Sequence, residues 1–336
     1  MALAIQLIEV IQMLYTGLDI HKKNIYGTMM DKDGKIIEQR EFANGKVELE
    51  QFLCGKPTKV VIEACGFWMD TYDKLKEMGC DVVLAHPGKV EAIASAKMKT
   101  DKIDSEILAH LLRSSLIPEA WAPDKPTREK RDMVRFRSYL IRNRSRYKAK
   151  IKFVLLKQGL RYPQSMWKGK AREQAEAVDP KIAAYFRMID KINEEVALVD
   201  KQIAIGREQN KQIKLLTTIY GISDYAATTI MAEVGDIKRF PSVKKLKSYS
   251  GLVPSVYQSG EKCRMGHITR QGSRWLRWML VQCCHVAVRQ KDSKLGKYYA
   301  RLCLKKNKKV AMVGTACKMM EIIYAMLRDE KPYAGL

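Results

Sequence analysis

The stretch KVVIEACG at residues 59–66 limits the fold more than any other part of the chain. It is a nearly continuous apolar run that stops at a glycine, the pattern of a strand buried on both faces of a parallel sheet. A second run of this kind, CDVVLAHP at 80–87, follows after one helix-length segment, Phe67 to Met78, that halts at Gly79. Upstream, YTGLDIH and IYGTMM lead into a DKDG turn at 31–34 and then KIIEQREF, which reads as antiparallel strands joined by tight turns. Short helices are expected over 45–54, 88–97 and 104–114. Three antiparallel strands followed by alternating helix and strand predict an α/β domain built on a mixed sheet.

Glu63 stands inside that first apolar run, and a carboxylate is seldom buried without a partner. Asp19 lies in GLDIH, within the first strand, and Asp101 and Asp104 lie in KTDKIDSEILAHLL, spaced to share one face at a helix start. Carboxylates converging on one point repel each other unless a cation sits among them. An oxygen-rich set of this type suits Mg²⁺, with Mn²⁺ as the alternative. A pair of such ions activates water and stabilises the leaving oxygen in phosphodiester chemistry. Structural roles stay open at this stage. Asp101 and Asp104 also suit a helix cap and a first-turn dipole partner, and Asp19 suits a strand-end turn.

Charge divides the chain. Residues 1–121 carry 15 Lys/Arg against 18 Asp/Glu, 122–172 carry 17 against 3, 173–210 carry 5 against 8, and 211–336 carry 24 against 8, within a total of +24. Two basic blocks beside a mildly acidic domain point to a long polyanion held in two places. A surface kept basic for solubility is the plainer reading. No apolar run reaches the roughly 18 residues that cross a bilayer, and no amphipathic anchor stands out, so no membrane partner is expected. The apolar opening stretch, Met1 to Leu14, lacks the basic and small-residue flanks of a signal peptide and reads as a short extension or an early start codon. The eight cysteines form no C-x-x-C pair, which argues against zinc and fits buried or inert thiols in a reducing cytoplasm.

From residue 126 to 210 turn residues become scarce. Arg135, Arg142, Arg146 and Lys150 recur at helical spacing, as do Arg137, Arg144 and Lys148. Ile189, Ile192, Val196, Val199 and Ile203 recur at heptad-like intervals, predicting an antiparallel helical hairpin or coiled coil interrupted near GLRYP at 159–163. Residues 211–336 read as mostly helical. LLTTIYGISDYAATTIMAEVG has the outline of a helix-hairpin-helix, an element that grips the DNA backbone, although Tyr220 and Ser223 stand where small residues are usual. SYSGLVPSVYQSGEKCRMGHITRQG reads as an irregular segment. Within it Ser259 precedes Gly260, and Lys262, Arg264, Arg270, Arg274 and Arg277 follow closely. Arginines around a serine suit a phosphodiester and the charge of its transition state. Ser250 and Ser255 are competing serines, and His267 is a candidate assistant.

The four carboxylates, in this order and on these elements, look like an RNase H fold of the RuvC resolvase type. GLDIHKK, VIEACG, TDKIDSEILA and GLVPSVYQSGEK…GHITRQGSRWLRWML together resemble the DEDD transposases of the insertion-sequence 110 family, also called bridge recombinases. The resemblance runs over nearly the whole chain. It implies a RuvC-like catalytic domain over 1–125 with Asp19, Glu63, Asp101 and Asp104 as catalytic metal ligands, a basic coiled-coil dimerisation segment over 126–210, and a C-terminal transposase domain over 211–336 with Ser259 as nucleophile. It further implies recombination of target and donor DNA under a structured non-coding guide RNA, a phosphoserine link, magnesium, and assembly as a dimer or tetramer. A cytoplasmic, nucleoid-associated protein is the corresponding expectation. Arg142, Arg144, Arg146, Lys262, Arg264, Arg270, Arg274 and Arg277 are the expected nucleic-acid contacts. The alternatives are a metal-dependent junction nuclease with no covalent intermediate, and a non-enzymatic RNA-binding scaffold.

Overall fold

The computed structural model describes residues 13–94, 100–260 and 262–333. The apolar opening stretch up to residue 12 and the end of the helix expected over 88–97 lie outside them. The chain divides into two compact units, 1–122 and 123–336.

The first unit contains β1 (Leu14–Ile20), β2 (Asn24–Met30), β3 (Ile36–Ala43), α1 (Lys46–Leu53), β4 (Thr58–Glu63), α2 (Trp68–Glu77), β5 (Asp81–Ala85), α3 (Pro87–Ile93) and α4 (Asp101–Arg113). The sheet order is β3-β2-β1-β4-β5. β1, β2 and β3 pair antiparallel, whereas β4 runs parallel to β1 and β5 parallel to β4. This mixed sheet is consistent with an RNase H-like arrangement. Alternation along β1 explains how it is covered. Leu14, Leu18 and Ile20 join Phe52, Ile62 and Leu75 in the core beneath α1 and α2. The residues between them face α4, where Val61, Ala85, Leu108, Leu111 and Leu112 form a second cluster with Tyr15.

Gly17 sets how closely α4 approaches. A Cβ there would lie 2.6 Å from the Ala109 backbone nitrogen and closer still to the Ser105 carbonyl oxygen, so only glycine lets the helix backbone rest on β1. Thr28 Oγ1 and Ser105 Oγ, 2.7 Å apart and buried, fix the same helix to β2. Thr100 is the N-cap of α4, its side chain accepting from the Ile103 amide. The helix therefore begins three residues before the expected 104, and the capping alternative for Asp101 is excluded. Asp101 opens the first turn instead, and Asp104 follows on it.

The second unit holds α5 (Lys125–Lys157), α6 (Gly169–Val178), α7 (Pro180–Glu208), α8 (Lys211–Leu216), α9 (Asp224–Val234), a 3₁₀ turn (Ile237–Arg239), α10 (Val243–Ser250), β6 (Pro254–Ser259), β7 (Lys262–Ile268), α11 (Arg274–Ala287), α12 (Lys294–Cys303) and α13 (Lys308–Asp329). α5 and α7 pack antiparallel. Arg137 pairs with Asp200 at 2.6 Å, Arg144 donates to Asn193 at 2.9 Å, and the Tyr147 and Tyr185 rings lie 5.7 Å apart. Ile189, Val196, Val199 and Ile203 of the heptad-like series are buried, and Ile192 is half-buried. The break falls between Lys157 and Gly169, around the expected GLRYP. α8 through α13 share one large core in which Ala227, Ile230, Leu246, Leu280, Cys284 and Met320 are fully enclosed. Among the described residues α13 alone is long and apolar enough to cross a membrane, and its Ala316, Met319, Met320 and Ile323 are buried in that core.

The segment expected to be irregular is instead a two-stranded antiparallel ribbon, β6–β7, with a bulge at its base. Nearly every residue of the ribbon is exposed, so it has no buried face and leaves no two-residue hydrophobic period to be read. All eight cysteines are free. Cys54 and Cys263 are exposed, Cys283 and Cys284 are buried, and the other four are half-buried.

Candidate functional site

Asp19 is the penultimate residue of β1, and Glu63 closes β4 beside it, each one step beyond the last rung between these strands, Leu18↔Ile62. Both lie on the sheet face that Gly17 and Val61 present to α4. The close seat of α4 brings its first turn to the carboxyl ends of the two parallel strands, where open α/β sheets bind ligands. Asp19, His21 and Asp101 offer ligand atoms all within 4.8 Å of one another. His21 Nε2 lies 3.3 Å from Asp19 Oδ2 and 3.4 Å from Asp101 Oδ2. Adjacent ligands around a small octahedral cation, at about 2.1 Å from the metal, stand about 3 Å apart, so the three atoms already approach that spacing. Asp104 and Glu63 are outside this tight group, although the Asp104 charge reaches Asp19.

Asp19 is the most enclosed member, with 17% of its side chain exposed against 56% for Asp101. Burial pushes its carboxyl above the usual aspartate range, the charges of Asp101 and Asp104 push the same way, and His21 opposes them. An acid held in this manner favours a proton or a cation. The residues therefore fit a divalent metal, which Asp19, Asp101 and His21 would hold directly with Asp104 and Glu63 at the margin. His21 was not singled out in the sequence. Its only signal was its place two residues after Asp19 in GLDIH.

Ser259 ends β6, paired with Lys262 across a turn whose Gly260 has φ 56°, a conformation that suits glycine. Lys262, Arg264, Arg270 and Arg274 are exposed, and the Arg274 guanidinium lies 5.8 Å from the Trp275 ring centre. Arg277 is half-buried. It donates to the Ser250 carbonyl at 3.0 Å, and burial with the neighbouring Arg270 charge lowers its pKa. This arginine braces the ribbon base. In α5, Arg142 and Arg146 are exposed, whereas Arg144 is occupied by Asn193. Of the competing serines, Ser250 is fully buried and donates to the Lys247 carbonyl, and Ser255 donates to the His267 carbonyl on the opposite strand.

The ribbon is rooted in a buried polar hub that the sequence reading missed. Glu233, near the end of α9, is 1% exposed. Its Oε1 accepts from Arg135 at 2.7 and 3.0 Å and its Oε2 from Ser273 Oγ at 2.8 Å, with Arg131 3.8 Å away. Ser273 also accepts from the Leu276 amide and so caps α11. Arg131 donates to the carbonyls of Ala232 and Glu233, closing the end of α9. From Ser273 the backbone bonds to Tyr249, and Arg270 and Thr269 bond to Gly251 and Val253, up to the first ribbon rung. Gly272 makes this closure possible, because a Cβ there would lie 2.9 Å from the Tyr249 carbonyl carbon. The signal available in the sequence was the one used for Glu63, a lone carboxylate in an apolar element. The loop of the helix-hairpin-helix outline is committed to packing. A Cβ on Gly221 would meet the Cys283 carbonyl and the Ala287 amide of α11 at 2.8 Å, and Ser223 caps α9.

Two sequence families match the chain. One described as a transposase, with the DEDD designation and linked to insertion sequence IS110, covers residues 16–158. The other, described as the transposase IS116/IS110/IS902 family, covers 213–300. A protein of Pseudomonas aeruginosa described as a probable family 20 transposase is 25% identical over 94% of this chain and 97% of its own length. The transposase for insertion sequence element IS1111A of Coxiella burnetii is 23% identical over 94% of this chain and 90% of its own length. The pilin gene-inverting protein of Moraxella bovis is 25% identical over 82% of this chain and 81% of its own length.

Proposed function

From a chain that carries the transposase domains of the IS110 family, we propose a DNA recombinase that cuts and rejoins strands with two centres, the carboxylate site of the first unit and Ser259 of the second. The observation that carries the reading is the clustered geometry of Asp19, His21 and Asp101 at the carboxyl ends of two parallel strands, where burial pushes the Asp19 carboxyl above its usual range. A divalent cation, in this reading Mg²⁺, supplies Lewis-acid stabilisation of charge at the reacting phosphate when bound. Asp19, Asp101 and His21 would hold it, and Glu63 and Asp104 would add negative charge that favours it.

At the second centre Ser259 Oγ forms a bond to phosphorus as the bond to the leaving strand breaks, and its proton departs to solvent or a neighbouring base. The phosphoserine keeps the bond energy for rejoining. Lys262 and Arg264 offset the phosphate charge from the same ribbon, and Arg270 and Arg274 do so from its base. The basic helix α5 offers Arg142 and Arg146 to a second polyanion, which we assign to a structured guide RNA. The three functional segments are 1–125, 126–210 and 211–336. The α5–α7 hairpin leaves Phe136, Tyr139, Leu198 and Ile205 about half exposed, which suits self-association into a dimer or tetramer through a coiled coil.

Trapping of a covalent protein–DNA adduct tests this reading. The wild-type chain with Mg²⁺ is expected to form one, and Ser259→Ala to form none. An adduct that survives Ser259→Ala excludes the serine. Recombination by Asp19→Ala or Glu63→Ala at the parental rate excludes the carboxylate site. Free cut ends without any adduct would favour the metal-dependent nuclease, the second reading, which the DEDD match also fits. Salt-dependent RNA binding with no cleavage at any Mg²⁺ concentration would leave a scaffold.

A further inference from the structure

Directly opposed residues on an antiparallel ribbon project to the same face. The rungs Ser259↔Lys262 and Tyr257↔Arg264 therefore share a face, and by alternation Ser255 and Gly266 continue it. Val256↔Met265 and Gln258↔Cys263 occupy the other. On the serine face Tyr257 is 66% exposed and has no part in the core. Beside it Gly266 lets the ring lie against the β7 backbone, since a Cβ there would lie 3.0 Å from the Tyr257 ring and closer to the Ser255 hydroxyl. An open groove of about 860 Å³ near the ribbon base is lined by Ser255, Tyr257, Arg264, Met265, Gly266 and His267.

We infer that the serine face of the ribbon binds an unpaired nucleotide of DNA next to the phosphate attacked by Ser259, with the base stacked on the exposed Tyr257 ring, which Gly266 seats against the ribbon, and the backbone held by Lys262 and Arg264. The inference rests on the reading of Ser259 as nucleophile. Charge fits the occupant, because Lys262 and Arg264 are both on the serine face and the segment 254–268 carries a single acid, Glu261 between the strands. An exposed ring beside basic side chains is the composition that holds single strands, by base stacking and backbone attraction. A duplex offers no free base face to such a ring, so the occupant is a base out of the helix. Tyr257 and Ser259 are two residues apart, about 7 Å along the strand, which places the stacked base in a nucleotide adjoining the attacked phosphate. The backbone bonds from Ser273 to the ribbon base hold the platform in register with α11.

The full chain is irradiated in EDTA with single-stranded DNA containing 5-iodouracil at successive positions, and the crosslinked peptide is mapped. The crosslink is expected on Tyr257 at one or two positions only. It should be lost in Tyr257→Ala and in Gly266→Val, whose side chain displaces the ring from its seat. Tyr257→Phe should retain stacking, read as quenching of 2-aminopurine in the same strand. Affinity for the single strand should fall roughly tenfold in Tyr257→Ala. Circular dichroism melting of each variant separates lost binding from lost fold. A crosslink that maps only elsewhere, equal binding by folded Gly266→Val, or equal crosslinking of a fully paired duplex would each overturn the inference. Ser259→Ala separates the two readings. A retained crosslink in EDTA, with no covalent adduct when Mg²⁺ is supplied, supports both. A retained crosslink with a retained adduct removes the nucleophile assignment and leaves the nucleotide platform standing.

Discussion

Glu233→Ala should be the most damaging single truncation at the ribbon base. The carboxylate is almost fully buried and accepts from Arg135 and Ser273, with Arg131 close by. Removing one partner of a buried ion pair costs about 3–5 kcal/mol, because the charge left behind has lost its solvation. Two features place this case near the low end. The Arg135 side chain is 37% exposed and can be hydrated again, and Arg131 keeps its bonds to the Ala232 and Glu233 carbonyls. A cost of about 3 kcal/mol corresponds to roughly 6–12 °C in melting temperature for a unit of this size. Arg135→Ala should cost less, about 1–2 kcal/mol, since Glu233 retains Arg131 and Ser273. Ser273→Ala removes a helix cap and a bond to a carboxylate, about 2 kcal/mol together. Urea unfolding followed by tryptophan fluorescence reads these changes, because Arg135 lies over the Trp275 ring, 5.9 Å from its centre. A double-mutant cycle on Arg135 and Glu233 isolates their coupling. A loss below 1 kcal/mol in Glu233→Ala, or a larger loss in Arg135→Ala than in Glu233→Ala, would refute the view that the carboxylate is the centre of the hub.

Gly17→Val should destabilise the first unit by several kcal/mol and abolish metal-induced stabilisation, since its Cβ cannot fit against Ser105 and Ala109; thermal melts with and without Mg²⁺ check this. Asp19→Asn should raise the melting temperature of the metal-free protein while eliminating the shift caused by Mg²⁺. The sign follows from the raised pKa: at neutral pH the folded state carries an unfavourable charge, relieved only as pH falls through that raised value. Proton and metal compete for Asp19, so wild-type Mg²⁺ affinity should fall with pH before the ordinary aspartate range is reached, as calorimetry at stepped pH would record. His21→Ala should weaken Mn²⁺ binding about 10- to 100-fold by electron paramagnetic resonance titration, and unchanged binding would exclude the imidazole from the site. Maleimide should label Cys54 and Cys263 quickly and spare Cys283, whose thiol burial pushes up to about 12, until the chain unfolds.

Much of the first unit was legible in its residues. Continuous apolar runs marked β4 and β5, and alternation and DKDG marked the β1–β3 meander, because burial patterns are local properties of a sequence. The second unit was less so. The ribbon carries no buried face and therefore no period to detect, and the hub required Arg131, Arg135, Glu233 and Ser273 to meet from three separate helices. The arginines of α5 also look equivalent in sequence, yet Arg137 and Arg144 are spent on α7 while Arg142 and Arg146 remain exposed.

By itself the sequence determined the mixed sheet and the antiparallel helical pair, and it set carboxylates at two strand ends and one helix start, since each depends on spacing along one element. Only the tertiary structure decided which carboxylates converge. That outcome turns on Gly17, where the absence of a Cβ lets α4 settle onto β1 and carries Asp101 to within reach of Asp19 and His21. No periodicity encodes such an approach, because it depends on two backbones separated by nearly ninety residues meeting at one point without a side chain between them.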